Sequence, residues 1–221
     1  MNRSSLPLLG LVIPAALLAA WWLAAHSGGI APVLLPSPEA VWEAFVRMAA
    51  DGSLAAHIGM SAMRTMTGFV LAAAFGIGCG VWFAVRPAAA AASHFVIEFL
   101  RLTPPLALIP VLILWLGIDE APKIAIVFLS SFFPIYLSAL TAVKGIDPKL
   151  AEVAELLRFT SAERFRMLTL PAAMPGILAG LRMGFGYSWR ALVGAELIAA
   201  SSGLGFLITE SSEFGKTDVV L

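Results

Sequence analysis

Thr65-Met66-Thr67-Gly68-Phe69-Val70-Leu71-Ala72-Ala73-Ala74-Phe75-Gly76-Ile77-Gly78-Cys79-Gly80-Val81-Trp82-Phe83-Ala84-Val85 runs without a charge between Arg64 and Arg86. A helix crossing a hydrocarbon core of about 30 Å needs roughly 20 such residues. The run therefore reads as a membrane span, and the composition agrees. Residues of the AVILMFWYC set make up 60% of the 221, charged residues 13%, and mean hydropathy is +0.91. Soluble domains hold about a quarter charged residues. Intrinsic disorder is excluded, because it needs low hydrophobicity and high charge. Fourteen Lys+Arg against fourteen Asp+Glu leave no basic excess to neutralise phosphates, so no nucleic-acid partner is expected. The single Cys79 forms no internal disulfide, and His26, His57 and His94 lack ligand spacing, so no metal site is expected.

Working outward from 65–85, the other apolar runs are 6–25, 102–118, 124–143 and 177–200. The fold class is all-α, a polytopic membrane helical bundle with five visible spans in a single domain, 1–221. The first run exceeds a signal peptide's apolar core and reads as an uncleaved anchor ending in Trp21-Trp22. The third carries Pro104, Pro105 and Pro110. Lys and Arg in short loops mark the cytoplasmic side. With the N-terminus inside, seven inner residues (Arg3, Arg86, Lys144, Lys149, Arg158, Arg164, Arg166) face four outer ones (Arg47, Arg64, Lys123, Lys216). The expected location is the bacterial cytoplasmic (inner) membrane, multi-pass, N-terminus inside.

Outside the spans, Ser37-Pro38 opens a helix after Leu35-Pro36 in the outer loop 28–64, as N-cap and first helical residue. On the inner side, 144–174 is the long polar stretch. Asp147-Pro148 starts a helix with Leu150, Val153, Ala154 and Leu157 on one face. Thr160-Ser161-Ala162-Glu163 matches a capping box and opens a second helix, interrupted at Leu170-Pro171. Two capped amphipathic helices make a compact knob suited to docking, where a solvated linker would need neither cap.

Glu152-Val153-Ala154, Arg158 and Leu168-Thr169-Leu170-Pro171 resemble the E-A-A…G…I-x-L-P signature of ABC-importer permeases. Leu35-Pro36-Ser37-Pro38, Leu106-Ala107-Leu108-Ile109-Pro110, Leu114-Trp115-Leu116-Gly117-Ile118, Phe132-Phe133-Pro134-Ile135, Leu170–Ile177 and Ala195–Gly205 are similar to the subgroup importing nitrate, sulfonates and taurine. The resemblance covers about residues 30–221 and implies a six-span type I permease working as a homodimer. It further implies a cytoplasmic ATPase that binds the ATP, leaving this chain no enzyme and without a cofactor. A periplasmic or lipid-anchored solute-binding protein would deliver a small nutrient, an anion such as nitrate, a sulfonate or taurine. The ATPase-coupling residues it implies are Glu152, Val153, Ala154, Leu157, Arg158, Leu170 and Pro171. Arg158 stands at the family's glycine, so either the turn departs from the usual geometry or Phe159-Thr160 makes the bend. Members carry one more span, so a sixth is expected after 221.

Chemistry inside the membrane is confined to the fifth span. Arg182, Gly186, Trp189, Val193 and Glu196 recur along one stripe, with Arg190 about 80° to its side. Buried membrane charges face a bundle interior or a water-filled cavity. The candidate translocation path is Gly186, Trp189, Arg190, Val193 and Glu196. Alternatively, Arg190 and Glu196 are paired structural groups, and Arg182 snorkels to the inner interface. Gly76-x-x-x-Gly80 and Gly180-x-x-x-Gly184 suit close helix packing. Glu98 and Arg101 suit a local pair near the inner surface. Gly215-Lys216-Thr217 looks like the end of a Walker A loop, but Glu210 replaces its first glycine. No nucleophile–base set is discernible. The alternatives to an importer subunit are a secondary transporter, which would show inverted repeats or ion-coupling carboxylates, and a non-transporting membrane scaffold.

Overall fold

A computed structural model describes residues 6–221, so Arg3 of the charge count lies outside the described residues. The helices are α1 (Leu6–His26), α2 (Pro38–Ala50), α3 (Ser53–Val85), α4 (Pro87–Leu102), α5 (Ile109–Leu116), α6 (Glu120–Lys144), α7 (Pro148–Leu156), α8 (Ser161–Glu163), α9 (Leu170–Ala199), α10 (Leu204–Glu213) and α11 (Thr217–Val220). No strand occurs among the described residues. Three helical stretches are long and apolar enough to span: α3, α6 and the run 161–199. A bent pair of helices makes a possible fourth, and α1 adds a shorter apolar helix.

Two compact units divide the chain, Met1–Gly59 with Ser202–Leu221, and Met60–Ser201. In the first, the Ser37 hydroxyl accepts the Ala40 N–H at 3.3 Å, the cap expected from its sequence. The paired tryptophans of α1 are both anchored there: Trp21 Nε1 donates to the Pro36 carbonyl at 3.0 Å and Trp22 Nε1 to Glu39 at 2.7 Å. Gly215, at φ 65°, turns α10 into α11, and the Thr217 hydroxyl donates to the Val33 carbonyl. The Gly-Lys-Thr tripeptide is thus a helix-to-helix turn rather than a phosphate loop.

The second unit is built on α3, α6 and α9, and small residues set its spacing. A Cβ added at Gly80 would stand 2.7 Å from both the Ala139 Cβ and the Tyr136 carbonyl oxygen. One added at Gly68 would stand 2.6 Å from Val127, and at Gly184, 2.7 Å from Ile135. Both glycine pairs therefore serve close packing, which supplies helix association where lipid removes the hydrophobic drive. Ile109, Ile126, Ala191 and Ala195 fill one end of the unit, and Ala139, Ala173 and Ile177 the other.

Three boundaries differ from the sequence reading. The span read as 65–85 begins at Ser53, whose N–H is accepted by Asp51 Oδ1 at 2.8 Å, and runs 33 residues. At 1.5 Å per residue that is about 50 Å, well beyond a bilayer core. Arg64, taken as an outer-loop charge, is therefore inside a helix. The span read as 102–118 is no single helix. Pro104 and Pro105 break it, and α4 meets the stretch 105–116 at an 89° bend. Leu170-Pro171 does not interrupt a helix, since the run 161–199 passes through it. The wider π turn over Arg164–Thr169 accommodates the proline at the head of α9.

Candidate functional site

Three places in the Met60–Ser201 unit carry chemistry. The first is a buried ionic cluster. Arg64, on α3, has no exposed surface. Its Nη1 donates to Glu196 Oε1 on α9 at 2.6 Å, and its Nε and Nη2 grip the Glu120 carboxylate at the head of α6. The Ser61 hydroxyl, one turn before Arg64, donates to Glu196 at 2.9 Å, and Lys123 Nζ approaches Glu120 at 3.4 Å. Two cations and two carboxylates close this cluster at formal neutrality. Desolvating a charge costs several kcal/mol; here Arg64 and Glu196 are enclosed and paired with each other, while Glu120 keeps part of its carboxylate in contact with solvent. The cluster ties together three helices at one level.

Glu196 was grouped by spacing with the path residues, and the structure separates it from them. Glu196 is buried and Val193 half-buried, whereas Trp189, Arg190, Gly186 and Arg182 are exposed on the isolated protomer. Fourteen residues at 100° fall about 40° short of whole turns, which rotates the stripe from the open face into the interior. The alternative of an Arg190–Glu196 pair is not formed: Glu196 pairs with Arg64. Sequence reasoning missed Ser61, Arg64 and Glu120. The signal was present in Asp51-Gly52-Ser53, a helix start that puts Ser61 and Arg64 on one face, at i and i+3.

The second place is an open cleft of about 470 Å³ beside the broken helix. Arg101, Pro105, Ser130, Phe133, Tyr187 and Arg190 are among the residues lining it. Glu98 Oε2 lies 2.5 Å from Arg101 Nη2, so the expected i,i+3 pair forms.

The third place is the knob. The Asp147 side chain accepts the Lys149 N–H at 2.9 Å and starts α7. Thr160 and Glu163 form the complete capping box: the Thr160 N–H donates to Glu163 at 2.8 Å, and the Glu163 N–H to the Thr160 hydroxyl at 3.3 Å. The Thr160 amide, then its hydroxyl, hold the Glu163 carboxyl below the usual carboxylate range. Between the helices Arg158 takes φ 52°, the left-handed conformation. The Arg158 N–H donates to the Glu155 carbonyl and the Phe159 N–H to the Ala154 carbonyl, both at 3.0 Å. That is a Schellman ending with arginine where glycine is usual. The usual turn is therefore kept and Arg158 itself bends, in place of Phe159-Thr160. The side-chain cost is about 1–2 kcal/mol, which the two capping bonds offset.

Of the residues expected to couple to an ATPase, Ala154 is buried and holds the turn, while Glu152, Val153, Leu157 and Arg158 are exposed. Leu170 is half-buried, and Pro171 opens α9. Leu156 and Leu157 are 83% and 60% exposed, an apolar tip that water alone would disfavour.

The chain is an all-α bundle of close-packed apolar helices carrying a capped two-helix knob at the head of a spanning run. The sequence pattern of the "binding-protein-dependent transport system inner membrane component" family matches residues 72–220, and the chain belongs to that family. It is accordingly a multi-pass inner-membrane permease component rather than a catalytic enzyme, of a kind that operates with ATPase and solute-binding partners. The taurine transport system permease protein TauC of Escherichia coli is 39% identical over 212 residues, covering 94% of this chain and 77% of that one. SsuC of Bacillus subtilis, named for aliphatic sulfonates transport, is 35% identical, covering 96% and 76%. The nitrate import permease protein NrtB of Leptolyngbya laminosa is 29% identical, covering 77% and 61%.

Proposed function

We propose that this chain is the membrane path and lever of an ATP-driven importer of a small anionic nutrient, of the nitrate, sulfonate or taurine kind. A separate cytoplasmic ATPase would bind and hydrolyse the ATP, a periplasmic or lipid-anchored binding protein would deliver the solute, and two copies of the chain would form the pore. The observation that carries the reading is the knob. Its two helices are locked by caps and a Schellman turn, yet Val153, Leu156 and Leu157 stand exposed on the protomer. A rigid, apolar-tipped projection transmits a push, which a solvated linker would absorb. Because α9 continues from the knob as one helical run, motion at the knob becomes rotation of a spanning helix. Gly186, Trp189, Arg190 and Val193 are proposed as path residues, and Glu196 acts from within the buried cluster. With Arg64 and Lys123 both drawn into the helical cluster, the charge count becomes seven inside against two outside, which favours a cytoplasmic N-terminus.

Co-purification of the detergent-solubilised chain with its ATPase tests the reading. Wild type is expected to retain the ATPase, and Glu152→Ala and Leu157→Asp to lose it. Retention by both variants would remove the knob from the interface, and failure of folded, dimeric wild type would count against an importer.

A further inference from the structure

The groove between α4 and α6 is built the wrong way round for a helix that packs on protein alone. α4 turns Ala90, His94, Ile97 and Glu98 toward α6 across an open groove of about 430 Å³. Its large apolar side chains Phe95, Phe99 and Leu102 lie on the other face, 71–83% exposed, and no residue of α4 is buried. Mostly small or polar side chains inward and bulky ones outward leave room between the two helices that close packing would not.

The polar groups of the groove are ordered along its length. At one end stand Lys144, the last residue of α6, and the start of α4, where Pro87 lines the groove and Arg86 provides no side-chain cap. An uncapped helix start carries partial positive charge and open amides, and Lys144 has no ion pair among the described residues. α6 is a spanning helix whose charge-free run 124–143 stops at Lys144, so this end lies where the apolar span gives way to water. Glu98, the one carboxylate on the wall, is held by Arg101 at 2.5 Å and adds no net charge.

Tyr136 supplies the independent observation. It lies about 12 Å along α6 from Lys144. Phe132 stacks on its ring at 5.8 Å, Phe83 meets it edge-on at 6.0 Å, and the residue is only 5% exposed. A buried tyrosine hydroxyl ordinarily finds a partner, yet this one makes no hydrogen bond among the described residues. Thr65 Oγ1 is the one described side-chain atom both sealed and unpartnered, so the Tyr136 hydroxyl opens on the groove that Tyr136 lines.

We propose that this groove binds an anionic phospholipid. Its phosphate meets Lys144 and the start of α4, an ester carbonyl accepts the Tyr136 hydroxyl, and its acyl chains run along Ile97, Leu137 and Leu140. Basic pockets between spanning helices suit such headgroups. A free phosphate would match the cationic end but leave Tyr136 and the apolar wall without a partner. A phosphatidylcholine would bring a quaternary ammonium to that cationic end. The inference is independent of the importer reading, and it puts a charged lipid three residues from Asp147, at the root of the knob.

Native mass spectrometry of the full chain in neutral detergent, titrated with phosphatidylglycerol and with phosphatidylcholine of the same acyl chains, tests it. Wild type is expected to take one phosphatidylglycerol per chain, about fivefold tighter than phosphatidylcholine. Lys144→Gln should weaken that binding about tenfold, and Tyr136→Phe, which keeps the ring, about threefold. Lys144→Arg should restore it, and Lys149→Gln, outside the groove on α7, should leave it unchanged. Thermal unfolding of the same samples should be unaltered in the Lys144 variants, since that side chain is exposed. Equal binding of the two lipids, undiminished binding in Lys144→Gln, or an equal loss in Lys149→Gln would overturn the site. Displacement of the lipid by inorganic phosphate would assign a free-anion site instead. Lipid held by the monomer and released on dimerisation would give the groove to a second copy of the chain.

Discussion

Two arginines sit in the same helical unit and meet opposite fates. Arg64 is fully enclosed, with its guanidinium shared between Glu120 and Glu196 and with Ser61 alongside. Arg190 lines an open cleft with no carboxylate on its walls. A charge satisfied within the protein holds helices in place, because removing it strands its partners. A charge left unsatisfied is available to something that arrives. The contrast separates frame from path more sharply than the residue types do, since both are arginines on long apolar helices.

Breaking the frame should have the largest effect. Arg64→Ala leaves two carboxylates without their cation and should cost about 3–5 kcal/mol in detergent unfolding. Arg190→Ala, which strands nothing, should leave stability within about 1 kcal/mol or raise it. Equal losses in the two variants would erase the distinction. Overpacking the seam comes next: Gly80→Leu forces a side chain against Ala139 and the Tyr136 carbonyl, with an expected cost of about 1–3 kcal/mol in the same measurement.

Smaller effects sharpen the view of the knob. Arg158→Gly relieves the left-handed strain and should stabilise by about 1 kcal/mol, read as raised protection of the α7 amides in hydrogen exchange. A reduction would show that the arginine side chain holds the turn. The smallest effect is in pH. The Glu163 carboxyl is lowered by Thr160, so its contribution is complete above the ordinary Glu value and is lost as pH falls through the depressed one. Local fraying of α8 should therefore begin only below about pH 4.5, and in Thr160→Ala it should already be present at neutral pH.

Much of this is legible in the sequence. Charge-free runs announced α3 and α6, and local side chain-to-backbone chemistry announced the caps at Ser37, Asp147 and Thr160. The resemblance named the family that the matched pattern establishes. What escaped depended on partners distant in sequence. Arg64 looks like a span boundary because an arginine in an apolar helix is costly, and only Glu120 and Glu196, far along the chain, make it tolerable. The Glu98–Arg101 pair was readable from its i,i+3 spacing, but the 89° bend that follows it was not. Arg158 defeated the glycine expectation because the Schellman bonds outweigh a modest backbone penalty.

The most direct measurement is ATP-driven uptake of nitrate, taurine or an alkanesulfonate, whichever wild type imports, into proteoliposomes holding this chain, its ATPase and its binding protein, for wild type and Arg190→Gln side by side. The account predicts equal assembly, equal thermal stability and at least a tenfold loss of uptake in the variant. Undiminished uptake by a fully assembled Arg190→Gln complex would contradict it.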